Sequence, residues 1–183
     1  GLRRFSSVGM DSSGRFVVAW VEEREEIWRL KVRRYGAFGQ PCSQGATPLG
    51  PAVTVVERPD TLAAAFDLSF TGLGVAADGK FVVTWPEKQV PLEDEVRFRI
   101  FDAGDTPIAT SPEELVPRFH PNQYRFASDP KVAPASWGFL LTWIDDGATY
   151  GQILGDLVAR RYGWDGASLD ASPTLVATLV EQG

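Results

Sequence analysis

The apolar positions of this chain fall into one phrase that occurs three times. It reads Gly14-Arg15-Phe16-Val17-Val18-Ala19-Trp20, then Gly79-Lys80-Phe81-Val82-Val83-Thr84-Trp85, then Gly138-Phe139-Leu140-Leu141-Thr142-Trp143. A run that is apolar at both parities predicts a strand covered on both faces. The joints before it, Asp11 to Gly14, Asp78-Gly79 and Ser136 to Gly138, carry residues that supply the positive φ of a tight turn. A short strand is predicted before each joint: Ser6 to Met10, Leu73 to Ala76, Lys131 to Ala133. After each phrase the pattern changes to alternation. Trp28, Leu30 and Val32 oppose Arg29, Lys31 and Arg33, and Val96 and Phe98 oppose Arg97 and Arg99. Alternation means one packed face and one wet face. This third strand ends on Val32 to Tyr35, Phe98 to Phe101 or Ala159 to Tyr162, and a turn follows at Gly36 to Gly39, Asp102 to Asp105 or Gly163 to Gly166. A fourth, short, Pro-flanked piece closes each repeat as an edge strand would: Val53 to Val56, Leu115-Val116, Leu175 to Val180.

Four strands per repeat, with the anchor tryptophans 65 and 58 residues apart, is the signature of a propeller blade. The predicted fold is all-β: three four-stranded antiparallel propeller-type blades, a partial or oligomer-completed β-propeller. It forms a single domain over 1–183, made of repeats 1–58, 69–118 and 124–183. Two stretches lie between repeats. Thr61 to Phe66 reads as one helical turn capped by Asp60 or Thr61, and Pro117 to Pro130 is left without structure. Closed propellers use four to eight blades. Three leave two bare faces, so the expected partners are other protein subunits or further blades of a longer chain.

Composition narrows the classes. A net charge of −6 argues against a general nucleic-acid binder, which needs a basic face. No apolar run approaches a membrane span. One Cys excludes an internal disulfide, and one His leaves little room for a zinc site or a His-based triad. No cofactor is expected. Gly rather than Met at position 1 predicts a processed chain or a piece of a longer polypeptide. Of the 18 basic residues only four are Lys, and there is a single Asn, a bias that resembles a GC-rich bacterial genome.

Val75 to Trp85 read apolar-Ala-x-Asp-Gly-x-Phe-Val-Val-x-Trp, and Arg99 to Pro107 read Arg-x-aromatic-Asp-x-x-Gly-x-Pro. This pattern resembles the tandem repeats of large exported bacterial proteins. The resemblance spans nearly the whole chain and rests on structural residues. It implies propeller-like β-structure and an extracytoplasmic location, periplasmic, cell-surface or secreted, and it brings no catalytic residue. The third repeat departs from it, with Pro134-Ala135-Ser136-Trp137 in place of the Asp-Gly turn.

Candidate chemistry is sparse. The hairpins after the anchor tryptophans are acidic: Glu22, Glu23, Glu25 and Glu26, then Glu93, Asp94 and Glu95, then Asp145 and Asp146. Clustered carboxylates suit calcium or acid/base work. A solvated tip that discourages edge-to-edge association explains them as well, and their spacing matches no calcium loop. Arg33, Arg99 and Arg160 recur two residues before an aromatic. They could grip an anion, as in propeller sialidases, but one per repeat is expected to pair with a neighbouring carboxylate and stack on aromatics. Cys42 and His120 read as loop residues. Trp20, Trp85 and Trp143 are expected in the core, and Trp28, Trp137 and Trp164 are the ones open to a ligand. The expected role is a non-catalytic structural or protein-interaction module of an exported bacterial protein or surface assembly. The alternatives are a carbohydrate-binding module, with glycan as partner, or part of a glycan-processing enzyme. Trp28, Trp137, Trp164 and the hairpin acids Glu25, Glu26, Glu93, Asp94, Glu95, Asp145 and Asp146 form the candidate interaction surface.

Overall fold

Three four-stranded antiparallel sheets, each a simple meander, make up the computed structural model, which describes residues 2–37, 48–59, 72–89, 93–108, 114–115, 126–146 and 155–178. Sheet 1 is β1 (Leu2–Met10), β2 (Phe16–Arg24), β3 (Ile27–Tyr35) and β4 (Val53–Pro59). Sheet 2 is β5 (Gly72–Val75), β6 (Phe81–Gln89), β7 (Glu93–Phe101) and β8 (Glu114–Leu115). Sheet 3 is β9 (Phe126–Ala135), β10 (Gly138–Asp146), β11 (Asp156–Gly163) and β12 (Thr174–Thr178). The described residues contain no helix. Thr61 to Phe66 lies outside them, as do Cys42 and His120. Phe126 to Pro130, where the sequence predicts no strand, extends β9.

Sheet 2 lies between the other two. β1 and β2 pack on β5, and β9 packs on β5, β6 and β7. Two dry cores result, and the period of 2 along β6 assigns its residues to them. Phe81, Val83 and Trp85 join Val17, Ala19, Val21, Leu30 and Val32 of sheet 1. Val82, with Val96, Phe98 and Ile100 of β7, joins Phe139, Leu141 and Trp143 of sheet 3. Each anchor phrase thus turns its Phe and Trp toward the preceding sheet. For sheet 1 no preceding sheet exists among the described residues. Trp85 and Trp143 are buried, but Trp20 is only half-buried, with its Nε1 hidden and unpartnered. The three tryptophans occupy equivalent places in unequal surroundings.

Close approach between sheets depends on small residues in the first strands. A Cβ on Gly9 would lie 2.7 Å from Val75 Cγ2. One on Gly74 would lie 3.1 Å from Pro134 Cδ and 3.2 Å from Val132 Cγ1. The third repeat manages without an Asp-Gly turn by a two-residue connection, Ser136-Trp137, between the paired Ala135 and Gly138. Gly138 carries the strain of that shortcut. Its φ is +152°, and a Cβ there would fall 1.9 Å from the Tyr162 carbonyl oxygen.

Replacing Trp85 or Trp143 by Ala should cost about 3–5 kcal/mol, and replacing Trp20 clearly less. Denaturant melts of the three variants check this. An equal loss at all three positions would overturn the assignment of Trp20 to an open face.

Candidate functional site

The junctions between sheets differ most at the end where the joints before β2, β6 and β10 lie. At the junction of sheets 1 and 2 the gap is filled. Arg34 precedes Tyr35 on β3, and strand parity aims it at sheet 2. It is 3% exposed. Its Nε donates to Asp105 Oδ1 at 2.8 Å and its Nη2 to the Gly79 carbonyl at 2.8 Å. The guanidinium sits 5.3 Å from the centroid of Phe81, which stacks on Phe101 at 4.6 Å. Ser12 Oγ donates to the Ala77 carbonyl at 3.0 Å beside it. The turn of sheet 1 is held by Asp11, which accepts from Ser13 N and Oγ (2.8 and 2.7 Å) and from Arg15 N and Nε (3.0 and 2.7 Å). Burial pushes the Asp11 carboxyl up, but the bonds from Ser13 and Arg15 together outweigh it and hold the group below its usual value.

At the junction of sheets 2 and 3, Ile100 stands where Arg34 would, and it is absorbed into the second core. The end of this junction stays open as a groove of about 310 Å³. Val75, Ala77 and Asp78 line one side, and Pro134, Ser136 and Trp164 the other. Trp164 is fixed as a wall: its Nε1 donates to the Ala135 carbonyl at 3.1 Å, and its ring leans on Phe139 at 5.7 Å. Trp137, next to Ser136 on the turn, is 47% exposed. Asp78 accepts from Lys80 Nζ at 2.8 Å, and this bond above all holds its carboxyl below the ordinary range. One indole, a hydroxyl and a carboxylate in the walls, with a second indole exposed on the adjoining turn, suit reversible binding. No group of three or more His, Cys, Asp or Glu able to hold a metal occurs among the described residues.

The other residues singled out in the sequence are scattered. Trp28 is half-buried against the first core, because it shares the face of Leu30 and Val32. Glu25 and Glu26 form an exposed two-residue turn with φ of 57° and 58°, a type I′ geometry usually given to Asn or Gly. Glu93 and Asp94 pair through the β7 backbone with Gln89 and Lys88, and their side chains lie outside the described set. The side chain of Asp146 does too. Glu95 and Asp145 are buried, contrary to the expectation of a solvated tip, because strand parity turns them inward. Glu95 pairs with Arg97 at 3.1 Å.

One buried acid escaped the sequence reading. Glu87 accepts from Arg58 of sheet 1 at 2.9 Å and faces Arg97 Nε at 3.0 Å, with Trp85 Nε1 3.4 Å away. A signal was present: an acid two residues after each anchor Trp, at Glu22, Glu87 and Asp145. The three recurrent arginines bind backbone carbonyls more than carboxylates. Arg33 donates to Gly50 at 2.9 Å, Arg99 to Val55 across the junction, and Arg160 to Asp170 at 2.9 Å, with Arg160 lying 5.7 Å from the Tyr162 ring. They do not converge on one point. No known protein family, curated protein or solved structure matches the chain.

Arg34→Met should cost about 2–4 kcal/mol, since it strands Asp105 and two carbonyls. Arg161→Met, at the equivalent exposed position, should leave stability almost unchanged, because an exposed ion pair is screened by solvent. Equal losses in thermal melts would show that Arg34 does not clamp the junction.

Asp11, Asp78 and Asp170 are all held below their ordinary value, Asp170 chiefly by its bond from Arg161. A lowered carboxylate contributes stability above its unfolded pKa of about 3.9 and loses it as pH falls through the folded value. Melting temperature should therefore be level above about pH 5 and fall below about pH 4. Asp11→Asn should lower the plateau and flatten the acid limb, and an unchanged limb would count against the linkage.

Proposed function

We propose that the chain is a non-catalytic structural or protein-interaction module of an exported bacterial protein or surface assembly, built as three consecutive propeller-type blades. One observation carries this reading: the outward face of sheet 3 has the residue pattern that is buried in both internal junctions. Leu140, Thr142 and Ile144 of β10, with Leu157 and Ala159 of β11, are half-exposed. Their counterparts Val17, Ala19 and Val21 with Leu30 and Val32, and Val82 and Thr84 with Val96 and Phe98, are buried. On the opposite end of the stack, Val8 and Met10 are 66% and 57% exposed. Apolar faces of this extent mark interaction surfaces. The test is binding of a hydrophobic dye to the chain and to a variant with Leu140, Ile144 and Leu157 changed to Glu. The wild type should bind the dye. The variant should bind far less and melt within a few degrees of the wild type. Failure of the wild type to bind dye while it is a single chain would sink the reading.

A second reading, a carbohydrate-binding module, is favoured by the groove. Trp164 as a fixed wall and Trp137 as an exposed neighbour, beside Ser136 and Asp78, provide stacking and hydrogen bonding for a sugar ring. Tryptophan fluorescence should then change on titration with a glycan panel, and Trp137→Ala should remove the response without lowering the melting temperature. A glycan-processing enzyme is less well supported, because it needs a pair of carboxylates about 5–10 Å apart. Asp78 is the one carboxylate lining the groove among the described residues.

A further inference from the structure

We infer that the outward face of sheet 3 seats sheet 1 of a second copy of this chain, head to tail, so that two copies close into a ring of six sheets. This rests on the module reading above and names the partner. The argument comes from the two junctions already present inside the chain.

Each internal junction uses a small residue on the first strand of one sheet to receive an aliphatic knob from the first strand of the next. Gly9 receives Val75, and Gly74 receives Val132 and Pro134. Strand register identifies the third seat. Gly9 pairs with Val17, Gly74 with Val82, and Ala133 with Leu140, the same position in each repeat. Ala133 is small, faces outward and is exposed, with no knob upon it. Register also identifies the knobs. Val75 pairs with Phe81 and Pro134 with Phe139; the counterpart in sheet 1 is Met10, paired with Phe16. Val132 pairs with Leu141, and its counterpart is Val8, paired with Val18. Val8 and Met10 are thus knobs without a seat, and they are the two most exposed of the large apolar side chains in the described residues. Each end of the stack supplies what the other lacks, which favours a second copy over an unrelated partner.

A polar feature points the same way. Arg161 precedes Tyr162 as Arg34 precedes Tyr35, and parity aims it outward from sheet 3. Arg34 needs a carboxylate from Asp105 and the carbonyl of Gly79, a glycine at φ +90° in a turn closed by Gly79 N to the Ala76 carbonyl at 2.9 Å. Arg161 brings its own carboxylate: Asp170 Oδ1 accepts from Nε at 2.9 Å and from Nη2 at 2.6 Å. Nη1 remains for the carbonyl of Gly14 in the second copy. Gly14 has the same backbone form, φ +80°, in a turn closed by Gly14 N to the Asp11 carbonyl at 3.1 Å. A head-to-tail contact closes when the rotation allows and otherwise grows into filaments. Six sheets fall within the range of closed propellers, so closure at two copies is the expected end point.

The test uses the chain as it is. Light scattering after size exclusion should give twice the 20.0 kDa chain mass at high concentration, tending to one chain on dilution. Ala133→Arg fills an exposed seat, so it should return the mass to one chain and melt as the wild type does at dilutions where it is a single chain. In a Cys42→Ser background, Met10→Cys and Ala133→Cys are made in separate chains and mixed under mild oxidation. A disulfide should form in the mixture and not in either variant alone. The chain carrying both changes should stop at a covalent dimer. Self-linking of the Met10→Cys chain, or a ladder of larger species, would overturn the head-to-tail ring. A single-chain mass at every concentration would also overturn it. In that case continued dye binding would leave the module reading standing, and loss of dye binding would remove both.

Discussion

The structure depends on β6 having two dry faces. A strand whose Phe81, Val83 and Trp85 point one way and Val82 the other cannot be satisfied by a single layer of cover. Burying an aliphatic or aromatic side chain stabilises by about 1.5–3 kcal/mol, so a sheet carrying such a strand gains fully only when packed twice. Sheet 2 is packed twice within the chain. Sheets 1 and 3 carry the same two-faced phrase and, among the described residues, are packed against one other sheet. The half-burial of Trp20 and of Leu140, Ile144 and Leu157 follows from that single fact.

Within this frame the repeats vary at one position to give three different junction ends. Arg34 makes a polar clamp, Ile100 a dry contact with a groove left beside it, and Arg161 an exposed ion pair with Asp170. The clamp is the costly choice, because a buried guanidinium must have its donors met. Nε and Nη2 are met by one carboxylate and two carbonyls, with an aromatic face beside them, while Nη1 stays buried without a partner; Gly79, at positive φ, lets the backbone approach closely. Ile100 avoids the desolvation cost by joining the second core. The groove at this junction lies between Val75 to Asp78 of sheet 2 and Pro134, Ser136 and Trp164 of sheet 3.

How much of this could be read from the sequence follows from what each pattern reports. Strand existence, order and sheet membership were legible, because the glycine-bounded phrase and the alternation after it are local signals. The pairing of Phe81 with Phe101 and of Phe139 with Tyr162 follows from the same spacing. Burial of the anchor Trp was not legible for Trp20, since it depends on a sheet that must come before it. The acids were misjudged for a related reason. Glu95 and Asp145 lie near hairpin tips, but parity turns them into a junction, and only the partner sheet reveals that. Trp28 sits on the packed face of an alternating strand, so its place against the core, and not in a ligand contact, is legible from the same parity as Leu30 and Val32. The groove at Trp164 was not legible, because its two walls come from different sheets.

The acid after each anchor Trp shows how a junction also recruits charge. Glu87 sits on the face of β6 that meets sheet 1, and Arg58 from the last strand of sheet 1 completes it at 2.9 Å. Arg97 on the neighbouring strand supplies the second cation. In sheet 1 the equivalent pair is Glu22 with Lys31, at 2.9 Å. The within-sheet half of the network is therefore present, and the half that a preceding sheet would donate is not seen among the described residues. The hidden Trp20 Nε1 belongs to the same vacancy, because its counterpart on Trp85 lies 3.4 Å from the Glu87 carboxylate. An indole N–H buried without a partner costs about 1–3 kcal/mol. Sheet 1 bears that cost on the face where Val8 and Met10 are exposed. A sheet docked there would cover the apolar knobs and bury the indole edge, while Glu22 stays paired within its own sheet, because the last strand of sheet 3, Thr174–Thr178, carries no cation in the place of Arg58.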